Sequence, residues 1–380
     1  MESEIELSPM QELAVELARL KRDHRHRVLA PAKGIDFTSN DYLGLSRHPA
    51  LREAAIAALT RDGVVGAGGS RLLRGHHAAH AQLETFAAEF FVTEKALFFG
   101  GGFLANFALF STLLGRHDAV IFDEHIHASI KEGIHACAAK RYRARHNNPE
   151  SFEEMLRRAH EGRPQRTLVA VESVYSMDGD LAPLRELWEL TNRYGATLVI
   201  DEAHATGVFG SRGRGLAETL PDENTICVHT CGKALGVAGA LICAPAEVID
   251  YLINKARPFI YSTAPPPFLA ATVQRALELV DEEPWRRKRV LQLAAFARNK
   301  LPGIEPRPAG SQIIPLILGD AQRALTISEA LQRAGFDVRA IRPPTVPEGT
   351  SRLRISIHAD HSETEISALA AALDSALAAA

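Results

Sequence analysis

The chain has 380 residues, of which 46% are hydrophobic and 23% charged, and its formal net charge is −3. This composition supports a large buried core. It argues against a nucleic-acid-binding protein, because such proteins usually have an excess of basic residues. The four cysteines form no Cys-x-x-Cys pair, so neither a disulfide framework nor a zinc site is expected. No apolar stretch reaches the roughly 20 residues that a membrane-spanning helix needs. The acidic start lacks an apolar signal core, and we expect a cytoplasmic protein.

Residues 1–36 are expected to form an N-terminal helical segment. Its apolar spacing is typical of an amphipathic helix, and the end of that helix is basic. The basic run includes Arg22, Arg25 and Arg27. It is either a solvated face or a site for an anionic substrate group, and the sequence leaves both interpretations open.

Strand-like and helix-like segments alternate between about residues 95 and 245. Short β-branched runs bounded by turn residues are typical of strands that are covered on both faces. The alternation predicts a large α/β domain over residues 37–265, with a mostly parallel sheet wrapped by helices. The predicted strands are Ala96–Phe99, Ala119–Phe122, Thr167–Val171, Thr197–Ile200, Thr225–His229 and Gly239–Cys243, and the predicted helices are Phe103–Leu114, Glu150–His160 and Leu184–Tyr194.

The pattern changes after the proline run at 265–267. A long helical region is predicted to continue to about Lys300, and strands and helices then alternate differently. Residues 266–380 are therefore expected to form a smaller α+β domain. Its predicted elements are the strands Ile313–Leu318, Asp337–Ile341 and Arg352–Ile357 and the helices Ala321–Ala334 and Glu363–Ala379.

Asp201 and His204 follow an apolar strand. A carboxylate at that position is costly to bury without a cationic partner. A pyridinium nitrogen is one such partner, because a facing aspartate keeps the ring protonated and able to withdraw electrons. His204 is close enough in sequence to reach a ring hydroxyl. The alternative is an aspartate that caps the next turn beside a surface histidine.

Lys233 lies between Gly232 and an apolar, glycine-containing stretch. A lysine in apolar surroundings has a lowered pKa and becomes nucleophilic toward carbonyls. Thr230, three residues earlier, can bind a phosphate oxygen. The alternative for Lys233 is a solvated surface residue. A nucleotide-binding Walker A loop is excluded because Cys227 and Ala234 occupy two of its required positions.

Three more segments follow predicted strands. The glycine turn at 100–102, with Phe103, precedes a helix, and its backbone N–H groups can bind a phosphate. His127 can stack on a flat ring, and Ser176 lies in a serine-containing turn. Each has an ordinary structural alternative. Because these residues, Asp201 and Lys233 all follow strand ends, we expect them to meet at one sheet edge, as a complete site for pyridoxal 5′-phosphate.

Eight stretches together resemble the α-oxoamine synthase family of fold-type I pyridoxal-phosphate enzymes. The resemblance spans about residues 37–358 and implies a PLP-dependent transferase with a large domain, a mostly parallel sheet and a smaller C-terminal α+β domain. The stretches are Ser39–Leu45, Gly68–Ser70, Gly102–Asn106, His127–Ser129, Ser176–Asp180, Asp201–Gly207, Thr230–Lys233 and Tyr261–Thr263.

The resemblance implies a role for each matching residue. Lys233 forms the Schiff base with the cofactor and moves the substrate proton, while Asp201 pairs with the pyridine nitrogen. His127 stacks on the ring and contacts the substrate, and His204 bonds the ring hydroxyl. The phosphate is held by Gly102, Phe103 and Thr230, the cofactor is flanked by Ser176, and the substrates contact Arg27, Asn40, Thr345 and Arg354.

Residues 340–354 resemble the biotin-pathway branch of this family rather than its other branches. This implies a decarboxylative condensation of L-alanine with a pimeloyl thioester of coenzyme A or an acyl-carrier protein, in a homodimer with its site at the interface. Neither a nucleic acid nor a membrane is an expected partner. Two other classes of protein agree less well with the sequence. The intact lysine, aspartate and histidine set argues against a cofactor-free scaffold, and the broken Walker pattern argues against an NTP-dependent ligase.

Overall fold

The computed structural model describes residues 8–221, 224–304 and 310–380. Its strands are β1 (Ile35–Asp36), β2 (Lys95–Phe99), β3 (Ala119–Asp123), β4 (Lys140–Ala144), β5 (Thr167–Glu172), β6 (Thr197–Asp201), β7 (Thr225–Thr230), β8 (Ala240–Ala244), β9 (Ile313–Gly319), β10 (Phe336–Asp337), β11 (Ala340–Ile341) and β12 (Ser351–Ser356). Its α-helices are α1 (Pro9–Arg22), α2 (Pro49–Asp62), α3 (Ala78–Phe91), α4 (Gly102–Leu113), α5 (Ala128–Ala136), α6 (Pro149–Glu161), α7 (Leu184–Arg193), α8 (Ala246–Lys255), α9 (Arg257–Ile260), α10 (Pro267–Glu282), α11 (Pro284–Lys300), α12 (Ala321–Arg333) and α13 (Glu363–Ala379).

The central sheet has seven strands in the order β2-β8-β7-β6-β5-β3-β4. Strands β3 to β7 pair in parallel, and β8 is antiparallel to both of its neighbours. Strand β2 therefore points in the same direction as β7. The mostly parallel sheet is confirmed, and the carboxyl ends of β2, β3, β5, β6 and β7 lie at one edge.

Both faces of the central sheet are covered by helices. Helices α4, α5 and α8 pack on one face, where Leu109 and Ile130 meet Val199 of β6. Helices α6 and α7 pack on the other face, where Phe152 and Leu187 are buried. Alternate residues of each parallel strand thus enter different cores, which explains why these strands are almost continuously apolar.

A smaller antiparallel sheet, in the order β11-β12-β9, packs against α12. The single strand predicted at Asp337–Ile341 is wrong. Strand β10 pairs in parallel with β1, whereas β11 pairs with β12 in another sheet. The predicted long helical region is divided into α10 and α11 at Pro284, because a proline can begin a helix but disrupts its interior.

Helix α1 begins with a capping box between Ser8 and Gln11 and has a basic last turn, but it buries none of its residues. Helix α10 packs against α2 and α3. The domain limits at residues 36 and 265 stay a prediction. Over the described ranges, the helices are all too short or too polar to cross a membrane, and no group of three metal-ligating side chains is assembled.

Candidate active site

The residues that were predicted to meet because they follow strand ends lie at the carboxyl edge of the central sheet. Asp201 ends β6 and Thr230 ends β7, with Lys233 three residues later. Gly102 begins α4 just after β2, and His127 precedes α5 after β3. These five positions come from separate parts of the sequence, and the parallel strands bring them to one side of the sheet.

Asp201 belongs to a chain of hydrogen bonds, here called the Asp201 network, that ends at His127. Its Oδ2 accepts a hydrogen bond from Asn106 Nδ2 (2.8 Å), and its Oδ1 accepts one from the backbone N–H of Ala203 (2.9 Å). Asn106 Nδ2 also donates to Ser129 Oγ (3.0 Å), which lies 2.8 Å from His127 Nδ1. The backbone N–H of Ser129 donates to the same histidine nitrogen (3.2 Å). Carboxylate and imidazole are thereby held in fixed orientations.

The start of α4 lies against Thr230. A Cβ atom added to Gly102 would be only 2.4 Å from Thr230 Cγ2, so a glycine is required there. The Thr230 hydroxyl is buried and has no hydrogen-bond partner among the described residues. The next residue of the helix, Phe103, is 55% exposed. Unbonded backbone N–H groups at a helix start together with an unused hydroxyl can bind a phosphate.

Lys233 is half-buried close to the charges of Asp201 and Glu172. Burial lowers the pKa of Lys233, although the negative charges of Asp201 and Glu172 oppose that shift. Glu172 ends β5 beside Asp201 in the sheet register. Burial and the nearby Asp201 charge raise the pKa of Glu172 to about 8, so this carboxyl group is mostly protonated at neutral pH. The lysine therefore has a larger neutral fraction than an exposed lysine.

Arg354, on β12, joins the smaller sheet to the carboxyl edge. Its Nε donates to the backbone carbonyl of Ser176 (2.6 Å), and its Nη2 donates to Asn40 Oδ1 (3.0 Å) and to the Tyr42 hydroxyl (3.1 Å). The Tyr42 hydroxyl lies 2.7 Å from His204 Nδ1. We call these five residues the Arg354 network. The Arg354 acceptors named here are uncharged oxygens, and a buried guanidinium with such partners suits an anionic ligand.

The imidazole in the Arg354 network is neutral. Burial lowers the pKa of His204 well below its usual value, and the nearby Lys233 and Arg354 charges add to the shift. Burial also raises the pKa of Tyr42, which keeps its hydroxyl protonated. Neutral groups at both positions can share a proton-donating hydrogen bond without a charge penalty.

Sequence reasoning assigned no role to Tyr42 or Asn106, although both stand in stretches that carried the family resemblance. Tyr42 is completely buried and contacts three predicted site residues, and Asn106 links Asp201 to Ser129. Their positions inside those stretches were a usable signal. Gln312, whose Nε2 donates to the His204 carbonyl (2.7 Å), lies outside every such stretch and gave none.

A cavity of about 660 Å³ opens beside the Asp201 and Arg354 networks, between the start of α5 and the loop before β12. Thr345 lines it and accepts a hydrogen bond from Arg27 Nη2 (3.1 Å). Arg25 is instead paired with Glu348. The lining includes His127, Lys131, Ser176, Pro344, Thr345 and Val346. Arg27 and Thr345 are thus placed together at the cavity rim, apart from the buried strand-end residues.

Comparison with known sequences gives matches along almost the whole chain. The profile of the aminotransferase class I and II family matches residues 32–373. An 8-amino-7-oxononanoate synthase from Anaeromyxobacter dehalogenans is 44% identical over 347 residues, which cover 90% of this chain and 86% of the relative. An enzyme of the same name from Chromobacterium violaceum is 42% identical over 375 residues, which cover 95% of this chain and 97% of that relative.

Solved structures share the fold. A serine palmitoyltransferase variant from S. paucimobilis with a bound PLP-myriocin aldimine superposes with a TM-score of 0.90 at 29% identity, covering 98% of this chain and 99% of that chain. An 8-amino-7-oxononanoate synthase from Francisella tularensis gives a TM-score of 0.77 at 29% identity, covering 91% of this chain and 98% of that chain. Both are similar in fold to this chain over nearly their entire lengths.

Proposed function

Because the chain belongs to the aminotransferase class I and II family, we propose that it condenses L-alanine with a pimeloyl thioester, with loss of CO2, to give 8-amino-7-oxononanoate. The observation that carries this proposal is the 44% identity to enzymes of that name over nine tenths of the chain. The side chains of the site described above support this proposal.

Pyridoxal 5′-phosphate is the cofactor, and the side chains fit it. The unpartnered Thr230 hydroxyl and the start of α4 at Gly102 suit its phosphate. Asp201, held by Asn106, suits a protonated ring nitrogen, and the exposed face of His127 suits stacking on the ring. When bound, the cofactor withdraws electrons from the substrate carbon that loses its proton.

Lys233 is assigned to attachment of the cofactor aldehyde and to movement of the substrate proton. An ammonium group cannot attack a carbonyl or accept a proton, so the lowered pKa of Lys233 favours both tasks. Because Glu172 beside Asp201 is mostly protonated, it does not add a second full negative charge near Lys233. Such a charge would favour the ammonium form of the lysine.

Arg354 is assigned to the carboxylate of L-alanine, with Asn40 orienting the same group. The guanidinium is fixed by Ser176 and Tyr42, so a ligand carboxylate meets donors that are already in position. His204, neutral and bonded to Tyr42, is assigned to the ring hydroxyl of the cofactor.

The 660 Å³ cavity is assigned to the acyl substrate. Thr345 lines this cavity, and Arg27 reaches it through the Thr345 hydroxyl, whereas Arg25 is neutralised by Glu348. Among the N-terminal arginines, Arg27 is therefore the better candidate for contact with the thioester substrate.

A homodimer in the cytoplasm, with the site at the subunit interface, completes the proposal. Large apolar side chains are exposed next to the expected phosphate site: Phe103 (55%), Leu73 (80%) and Tyr261 (74%). The segments of Leu73 and Tyr261 lie together, because Ser70 pairs with Thr263 in an isolated β-bridge, and Pro265 lies beside the glycine turn that precedes Phe103. Exposed apolar side chains clustered beside a ligand site are typical of a surface that a second subunit covers.

The proposal is tested with purified, cofactor-saturated protein. L-alanine and pimeloyl-CoA or pimeloyl-acyl-carrier protein should give CO2 and 8-amino-7-oxononanoate in equal amounts. L-serine with palmitoyl-CoA is the matched competitor, because serine palmitoyltransferases share the fold. Turnover of L-serine with palmitoyl-CoA, without turnover of L-alanine with either pimeloyl thioester, would contradict the proposal.

A further inference from the structure

The acyl cavity contains a lysine that has no part in the function proposed above. Lys131 lies on α5, one turn after His127, and it is half-buried in the cavity wall. Its Nζ donates a hydrogen bond to the backbone carbonyl of Glu124 (2.9 Å). An ammonium group has three donors, and this carbonyl is uncharged, so the bond leaves the positive charge without a counterion.

The neighbouring carboxylates are engaged with other groups. Asp123 accepts hydrogen bonds from the backbone N–H groups of His125 and Asn147 and is paired with His146. Glu124 Oε1 accepts one from the backbone N–H of His146. No described carboxylate forms an ion pair with Lys131, although the charges of Asp123 and Glu124 favour its ammonium form. The ammonium therefore keeps hydrogen-bond donors free for an anionic ligand.

Glu172, the third nearby acid, accepts a hydrogen bond from the backbone N–H of Ser176 (3.2 Å). Its pKa is raised to about 8 by burial and by the Asp201 charge, so it is mostly uncharged at neutral pH. Burial also lowers the pKa of Lys131. An anion bound beside this lysine would favour its charged form and gain a strong interaction in return.

The rest of the cavity wall is mixed, with apolar side chains beside an ion pair between Arg352 and Asp178. Its apolar residues include Ile126 and Met177, and also Val346 and Pro347 on the loop before β12. A wall of this kind with one unpaired cation matches a hydrocarbon chain that ends in an anionic group. The apolar contacts alone would discriminate only weakly between a plain fatty acyl chain and one that ends in a polar group.

We propose that Lys131 binds the terminal carboxylate of the acyl group, and that it makes the enzyme selective for ω-carboxyacyl thioesters over neutral acyl thioesters of the same chain length. This inference rests on the proposed function and adds a specificity-determining residue to it. Arg27 and Thr345 then contact the part of the thioester that charged and neutral acyl groups share.

The test compares pimeloyl and heptanoyl thioesters of N-acetylcysteamine, which have the same carbon number and contain no phosphate. In the holoenzyme, Lys131→Met should reduce kcat/KM for the pimeloyl substrate by about ten- to a hundredfold and leave the heptanoyl value unchanged. Lys131→Arg, which keeps the charge, should restore most of the preference. Lys140→Met, an exposed lysine on β4, is the matched control.

Calorimetric binding of the same two thioesters to the holoenzyme in the absence of L-alanine gives a second readout, and only the pimeloyl thioester should bind more weakly to Lys131→Met. An equal loss for both acyl groups, or an unchanged preference, would overturn the role of Lys131. A loss seen with pimeloyl-CoA but absent with the phosphate-free thioester would overturn it as well, because the lysine would then recognise coenzyme A. Failure of the proposed function differs from these outcomes, since wild-type protein would then release no CO2 from L-alanine with any pimeloyl thioester.

Discussion

The proposed site has two halves, and they are built in different ways. The cofactor half consists of Gly102, Asp201, Thr230 and Lys233, which follow strand ends of the central sheet. The acyl half consists of Arg27, Lys131 and Thr345, which stand on an N-terminal segment, a helix side and a loop. Side chains fixed to buried strands keep one geometry, whereas side chains on loops can vary without disturbing the core. Under the proposed function, the chemistry therefore depends on the rigid half and the choice of acyl substrate depends on the adaptable half.

The largest effect is expected in the cofactor half, at Lys233. Lys233→Ala should reduce turnover by more than about a thousandfold, because it removes both the nucleophile and the proton carrier. Borohydride reduction and mass spectrometry should attach the cofactor to the peptide that contains residue 233 in wild-type protein and not in the variant. Lys255→Ala, at the exposed end of α8, serves as the control. Full activity of Lys233→Ala would remove this lysine from the chemistry.

Arg354 joins the two halves, and its removal should mainly weaken amino-acid binding. Arg354→Ala is expected to raise the KM for L-alanine by about ten- to a hundredfold, the effect of losing a charged hydrogen-bonding partner. Arg354→Lys should be intermediate, because lysine keeps the charge and loses the planar fork. Steady-state kinetics with Arg333→Ala on the exposed side of α12 provides the comparison. An unchanged alanine KM would separate Arg354 from the substrate.

A histidine outside both sets of residues should contribute more to stability than either, because it links the end of β3 to the turn after β5. His146 lies 2.9 Å from Asp123 and 2.8 Å from Asp180. Although burial opposes the shift, these carboxylates raise the pKa of His146 to about 10 from an ordinary 6.5. Its stabilising effect is therefore complete below about pH 6.5 and is lost as the pH rises through 10.

His146→Gln should accordingly lower the free energy of unfolding by about 2 kcal/mol near pH 6. The difference from wild type should shrink steadily as the pH approaches 10. Urea unfolding across this pH range measures it. A difference that stays constant with pH would show that the imidazole is not held in its charged form.

The smallest effect is expected at the rim of the acyl half. Thr345→Val removes the hydroxyl that accepts a hydrogen bond from Arg27. It should raise the KM for the acyl thioester by about two- to fivefold and leave the alanine KM and the melting temperature unchanged. Thr326→Val, exposed on α12, is the control. A stability loss as large as that of His146→Gln would contradict the division between a rigid and an adaptable half.

The elements of the central sheet could be predicted closely from local pattern, because strands buried on both faces must be apolar along their whole length. Strand β4 could not be predicted in this way, since its residues Lys140, Arg141 and Arg143 are exposed at the sheet edge. The split at residues 336–341 was also beyond local pattern, because the two pieces are separated by pairing with different sheets.

The sequence by itself determined which residues stand at the strand ends, and with them the positions of Lys233, Asp201 and Thr230. Parallel strands share one carboxyl edge, so a chain order of strand ends already implies a common location. Only the tertiary structure decided the partners that orient these groups. Tyr42, Asn106 and Gln312 contact the site across long sequence separations. Such contacts depend on how helices and sheets pack, and no local periodicity encodes them.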